Sequence, residues 1–209
     1  MKLYDFVGPP SPRRVRMFLA EKGIDIEREI VNIREGEQFS PDFRAINNRC
    51  TIPALLLDDG TVLRDSETIQ RYLEEVFPDP PLFGETPVQR AVINDWLRVI
   101  DLDGFGAVAE ALRNSVGRLK DRALTGPHNE AQNPALAERG VRRIGYFFEE
   151  LDRQLADHPY VAGETFSVAD INALVVVDFA AMAQQTVPES CANIRRWYET
   201  VAARPSAKA

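Results

Sequence analysis

Pro53 stands at the head of an apolar, β-like run, Ala54 to Leu57, and an acid–serine pair, Asp65-Ser66, follows one hairpin later. Proline has no N–H to give to a sheet, so Pro53 belongs at a strand start or edge. A cis bond is open to an X-Pro pair, and here it would turn the N–H and C=O of Ile52 outward. An extended peptide can pair with those groups as one more strand. Such pairing fixes orientation but reads no side chain.

Asp65-Ser66 supplies what the backbone lacks. Ser66 is placed to cap a helix, where free N–H groups and the dipole favour an anion. Its hydroxyl adds a donor, and Asp65 beside it can accept from an ammonium group. An anion site next to a cation site suits the α-amino-acid end of a ligand. An isolated Asp-Ser reads first as a helix cap and a turn residue. The Ile52-Pro53 pair one hairpin earlier reverses that preference.

The elements that must hold these residues follow from periodicity. Lys2 to Val7 reads as a strand, broken by Gly8-Pro9-Pro10. Ser11-Pro12 has the form of a helix start, with Ser at the N-cap and Pro at the first helical position. Val15, Phe18 and Leu19 follow at helical spacing, and Gly23 ends the helix. Glu29 to Ile33 alternates like a strand. Ser40-Pro41 opens a short helix carrying Phe43 and Ile46. Asp58-Asp59-Gly60-Thr61 turns the Pro53 strand into a hairpin with Val62-Leu63, and Ser66 opens a third helix. The order is β-α-β-α-β-β-α, which predicts a mixed four-stranded sheet with flanking helices over residues 1–80.

Phe77-Pro78-Asp79-Pro80-Pro81 is too proline-rich for helix or strand and reads as a linker. Residues 88–209 read as an all-helical domain, with helices over 88–124, 134–156, 168–183 and 188–203. Ser167 and Asp170 have the spacing of a capping box. Gly104 and Gly106 interrupt a helical pattern, which predicts a kink or a close approach.

Composition narrows the function classes. The chain has 209 residues, 44% hydrophobic and 27% charged, with a net charge of −7. That balance argues against nucleic acid and anionic membrane surfaces as partners. The two cysteines, Cys50 and Cys191, form no disulfide framework, and His128 and His158 have no nearby Cys to make a zinc site. No metal is expected. The N-terminus lacks the apolar core of a signal, and no run approaches transmembrane length. A cytoplasmic protein is the expectation.

Five stretches together resemble the glutathione transferase family: 11-SPRRVRMFLAEKGI-24, 36-GEQFSPDF-43, 47-NNRCTIPAL-55, 65-DSETI-69 and 160-YVAGETFSVADI-171. The likeness covers essentially the whole chain and looks most like bacterial members with Ser, Cys or Asn after the first strand. It implies an α/β thioredoxin-like N-terminal domain, an all-α C-terminal domain and a homodimer. It also implies glutathione as co-substrate, with no permanently bound cofactor. By the same resemblance Pro53 is cis and Ile52 pairs with the cysteinyl backbone of glutathione. Asp65 and Ser66 hold the γ-glutamyl end, and Gln38 matches the position, often His, that reaches the glycyl end. Asn48 and Cys50 stand where the family often has Pro and Gly.

The implied chemistry is nucleophilic. A free thiol has a pKa of about 8.5, and the thiolate is the attacking form. A hydroxyl donor and a helix N-terminus lower that pKa. Ser11, at the mouth of the first helix, is the candidate donor. Ser11-Pro12 is equally a cap and first-turn pair, and in many Ser-type relatives the serine aligns nearer Pro9. Tyr4 is a second candidate, with packing inside the sheet as its simpler role. The electrophile is expected between the Gly8-Pro9-Pro10 loop and the first helix of the second domain, with Trp96 and Phe105 as lining candidates. Either aromatic, taken alone, reads as core. Two alternatives stay open: a glutathione-dependent peroxidase or dehalogenase, which a Cys at position 11 would have favoured, and a non-catalytic ligand carrier or regulator.

Overall fold

Leu3 and Tyr4 are buried on the strand that organises the sheet, β1 (Lys2–Asp5), in the computed structural model, which describes residues 1–209. β1 pairs in parallel with β2 (Glu27–Ile30) and antiparallel with β3 (Ala54–Leu56). β3 pairs antiparallel with β4 (Val62–Leu63), giving the order β2-β1-β3-β4. This is the expected mixed four-stranded sheet. β2 lies two residues earlier than its alternation suggests, because Lys2 pairs with Glu27 and Asp5 with Ile30. Val31 then leaves the strand, buried, with its N–H on the Asp5 carbonyl at 2.9 Å.

Helix α1 (Pro10–Lys22) starts earlier than expected. Pro9, not Ser11, is the N-cap, and Pro10 takes the first helical position. A proline loses nothing there, since its φ suits the helix and its missing N–H would have been unpaired anyway. Gly23 ends the helix in the left-handed conformation, φ 64°. The short α2 (Pro41–Ile46) is capped by Ser40, whose Oγ accepts the Phe43 N–H at 3.2 Å. Helix α3 (Ser66–Val76) buries Ile69 and Leu73 and is joined to α1 by Gln70, whose Nε2 donates to the Arg14 carbonyl at 3.1 Å. The segment after α3 is fastened by Lys22. Its ammonium donates to the carbonyls of Phe77, Pro78 and Pro80 at 2.8, 3.3 and 2.6 Å and pairs with Glu74 at 2.5 Å.

The remaining helices are α4 (Pro87–Val99), α5 (Gly106–Ser115), α6 (Pro134–Asp157), α7 (Val168–Met182) and α8 (Ala192–Ala202). Between α4 and α5 the chain widens into a π-helical turn, Ile100–Phe105. A Cβ on Gly104 would lie 3.0 Å from the side chains of Phe147 and Val176, so the glycine marks the close approach its position suggested. The long helix expected to run to residue 124 stops at Ser115. Residues 116–133 carry only a short 3-10 turn, Gly117–Leu119, and an isolated bridge between Arg122 and Glu130. They are held by Gln132, whose Nε2 donates to the carbonyls of Arg113 and Val116, and by Asn114, whose Oδ1 accepts the Asn133 N–H. α7 is buried along nearly its whole length and carries the expected capping box. α8 starts four residues later than expected, after a turn in which the Cys191 N–H meets the Pro188 carbonyl.

The chain divides into two compact units, Met1–Pro80 with Thr125–His128 and Lys208–Ala209, and Pro81–Leu124 with Asn129–Ala207. No helix is long and apolar enough to cross a membrane.

Candidate active site

Strand directions bring the chemically marked residues of the first unit to one end of its sheet. β1 runs from Lys2 to Asp5, and the loop after it leads to Ser11. β3 runs the other way, with Ala54 opposite Tyr4, so Ile52-Pro53 enters the sheet where β1 leaves it. β4 reverses again, with Leu63 opposite Leu55, and delivers Asp65-Ser66 to that same end. β2, parallel to β1, also points its C-terminus there and leads on to the short 3-10 turn Glu37–Phe39 that holds Gln38.

The Ile52–Pro53 peptide is cis. Pro53 is buried, Ile52 is half-buried, and no turn or loop hydrogen bond takes up the Ile52 N–H or C=O. Its main chain is therefore available to an extended partner. The loop before it is braced by a residue whose role is not legible in the sequence, Asn47. This fully buried side chain donates from Nδ2 to the Thr51 carbonyl at 2.7 Å and accepts the Arg49 N–H on Oδ1 at 3.0 Å. Cys50 closes the loop with φ 54°, a left-handed conformation in which glycine is the comfortable residue. A second unexpected element is the segment Thr125–His128, which clusters with the first unit. Gly126, at φ 104°, lies where a Cβ would come within 3.2 Å of the Arg49 carbonyl oxygen. His128 is exposed, as its loop position suggested.

Asp65 and Ser66 exchange the places expected of them. Asp65 is the N-cap of α3, and its Oδ1 accepts the Thr68 N–H at 2.9 Å and the Thr68 hydroxyl at 3.3 Å. Ser66 is the first helical residue, 4% exposed. Aspartate and serine are equally good caps, and the Asp65 carboxylate adds a charge that complements the helix dipole. The Thr68 and Ile69 N–H groups are taken by Asp65, which leaves those of Ser66 and Glu67 at the helix mouth. Asp65 is exposed, and its Oδ2 makes no hydrogen bond. An anion acceptor site and a carboxylate oxygen thus sit side by side.

Ser11 is the second residue of α1, half-buried, and does not cap it. The first four N–H groups of a helix have no partner within it. In α1 those positions are Pro9, Pro10, Ser11 and Pro12, three of which have no N–H at all. Ser11 therefore holds both polar donors of that mouth, its N–H and its hydroxyl. Pro10 is half-buried beside it. Tyr4 is core: 4% exposed, edge-on to Phe43 at 5.8 Å, with burial pushing its phenol above the usual value. Gln38 is half-buried, and its Oε1 is buried without a partner.

Of the two aromatic candidates in the second unit, Trp96 is buried on α4. Phe105 closes the π-helical turn, half-buried, its ring 5.2 Å from that of Phe179. Cys191 is buried, and burial pushes its thiol up, as suits a packing residue.

Comparison with known proteins sorts these features. The glutathione S-transferase N-terminal domain model matches residues 10–76, and the C-terminal domain model matches residues 116–205. Glutathione S-transferase 2 of Saccharomyces cerevisiae is 34% identical over 211 aligned residues, covering 100% of this chain and 88% of the relative. The crystal structure of a glutathione S-transferase domain-containing protein from Marinobacter aquaeolei superposes with a TM-score of 0.91 at 35% identity, over 99% of both chains. That of Gtt2 from Saccharomyces cerevisiae also gives 0.91, at 32% identity, over 100% of this chain and 99% of the other. Both halves of the fold and a full-length relative agree: this chain belongs to the glutathione S-transferase family.

Proposed function

We propose that the chain conjugates the thiolate of glutathione to a small, partly apolar electrophile. Ile52 pairs through its main chain with the cysteinyl backbone. The Ser66 and Glu67 N–H groups with the Ser66 hydroxyl take the γ-glutamyl carboxylate, and Asp65 Oδ2 takes its ammonium. Gln38 reaches the glycyl end. Ser11 donates to the sulfur, so that the thiol gives up its proton to solvent. The thiolate forms the C–S bond at the electrophilic carbon as a leaving group such as halide departs with the bonding pair, or as a polarised double bond opens and its far end takes up a proton. Pro10 is the candidate for apolar contact with the electrophile in the first unit, and Phe105 and Trp96 are the candidates in the second. Glutathione is a co-substrate, no permanently bound cofactor is needed, and the working form is a cytoplasmic homodimer.

The observation that carries this reading is the unpaired Ile52 main chain beside the open mouth of α3, at one end of one sheet. The test is glutathione binding by calorimetry, followed by thiolate absorbance against pH in the same sample. Binding with a thiol pKa below about 8.5 supports the transferase. Binding without that shift favours a carrier or regulator, and no binding removes the site. Gel filtration at micromolar concentration tests the dimer, which a stable monomer would exclude.

A further inference from the structure

A buried ion pair holds the exit of β1. Asp5, the last residue of the strand, is fully buried, and Arg16, on α1, is 5% exposed. Arg16 Nη1 donates to Asp5 Oδ1 at 2.7 Å and to the Phe6 carbonyl at 3.3 Å. The same Oδ1 accepts the Phe6 N–H at 2.7 Å. One charge pair therefore fixes both main-chain polar groups of Phe6. Asp5 Oδ2 is buried with no protein partner. Removing two charges from water costs more than an apolar pair of the same size would, so stability is a poor explanation for the arrangement.

Its placement offers a better one. Phe6 opens the four-residue loop Phe6–Pro9 that leads into α1, and Ser11 is the second residue of that helix. Arg16 lies five residues beyond Ser11, about 7.5 Å along the helix axis. The pair thus bolts the helix to the strand, with the first loop residue gripped between them. The loop cannot do this itself: Val7 and Gly8 are exposed, and Gly8 has φ 122°. The depth of Ser11 relative to the Ile52 main chain is set by where α1 stands against β1.

We propose that the Arg16–Asp5 pair is a positioning device that aims the Ser11 hydroxyl at the sulfur of bound glutathione. The proposal rests on the reading of Ser11 as the thiolate donor. It requires the reach and the fixed plane of Arg16, whose single Nη1 sends one N–H to Asp5 and the other to the Phe6 carbonyl. A lysine carries a charge on a shorter, freely rotating stem and does not hold both acceptors in that geometry.

The test compares Arg16→Lys, Asp5→Asn and Ser11→Ala in the full chain. It reads glutathione affinity by calorimetry, the pKa of the bound thiol by absorbance, and kcat/KM with a model aryl halide. Arg16→Lys and Asp5→Asn are expected to leave affinity within about twofold while raising the thiol pKa by about one unit. kcat/KM below that pKa should fall about tenfold, and neither change should worsen a Ser11→Ala background. Asp5→Asn keeps the side-chain shape and an acceptor for Phe6, so it carries the test if the lysine variant does not fold. A thiol pKa that moves in Ser11→Ala but in neither pair variant overturns the positioning role alone. A thiol pKa unmoved in Ser11→Ala removes the donor reading, and the positioning proposal with it.

Discussion

Asp65 Oδ1 takes the Thr68 N–H at 2.9 Å and so frees its neighbour Ser66 from capping the helix they share. The Ser66 hydroxyl and N–H are left for a ligand, while Ser11 faces only its sulfur in the proposed reading. Ser66→Ala is therefore expected to weaken glutathione binding more than Ser11→Ala does, by about tenfold, the value of a hydrogen bond to a charged group. Calorimetry on the two variants decides the order, and the reverse order would overturn the assignment of roles. Asp65→Ala should lose stability as well as affinity, about 1 kcal/mol from the missing cap.

Cys50 illustrates a residue tolerated rather than chosen by its backbone. At φ 54° an L-residue is strained by about 1–2 kcal/mol, and glycine is not. Alanine and glycine remove nearly the same buried thiol packing. Cys50→Gly should therefore be more stable than Cys50→Ala by about 1 kcal/mol, the opposite of their ranking in a helix or strand. Urea unfolding of the two variants reads the sign directly.

What could be read from the chain without its fold depended on range. The Ser167–Asp170 capping box and the Asp58–Thr61 turn are local chemistry, written within a few residues, and the structure carries both. The start of α1 lies two residues before the expected Ser11-Pro12 start: prolines at 9, 10 and 12 each suit the first turn, and only the path of the loop selects Pro10. The helix expected to reach residue 124 ends at Ser115 for a tertiary reason. Leu112, Val116 and Leu119 continue a helix-like spacing past Ser115, but Gln132 and Asn133 hold the chain there away from the helix axis. Asn47 and the Arg16–Asp5 pair were invisible because a buried polar residue declares its role only through its partners.

Two glycines on α6 should respond oppositely to the same substitution. A Cβ on Gly140 would sit 2.5 Å from the Ala111 nitrogen and 2.8 Å from the Ala107 carbonyl oxygen, backbone atoms of α5 that cannot rotate away. Gly140→Ala must push the two helices apart, at a cost of about 1–3 kcal/mol. Around Gly145 nothing lies within 4 Å. Gly145→Ala gains helix propensity and should stabilise by up to about 1 kcal/mol. Thermal unfolding of both variants checks the contrast.

Asp170 links the start of α7 to its surroundings. Its Oδ1 accepts the Val161 N–H at 2.9 Å and the Trp197 indole N–H at 2.8 Å, and its Oδ2 accepts the Ser167 N–H at 2.9 Å. Complete burial pushes the carboxyl up to about 6 from 3.8, against the lowering effect of those donors. Between those two values the folded chain holds a proton that the unfolded chain has released. Stability from this group therefore falls as pH rises through that window, by about 3 kcal/mol, and is level above it. Asp170→Asn turns an amide N–H₂ toward one set of donors and should cost about 2–4 kcal/mol at pH 7. Because asparagine does not titrate, the stability gap between the parent and this variant should widen as pH drops from about 6.5 to about 4. Urea midpoints at the two ends of that range measure it, and a gap that narrows would mean the donors hold the carboxylate charged.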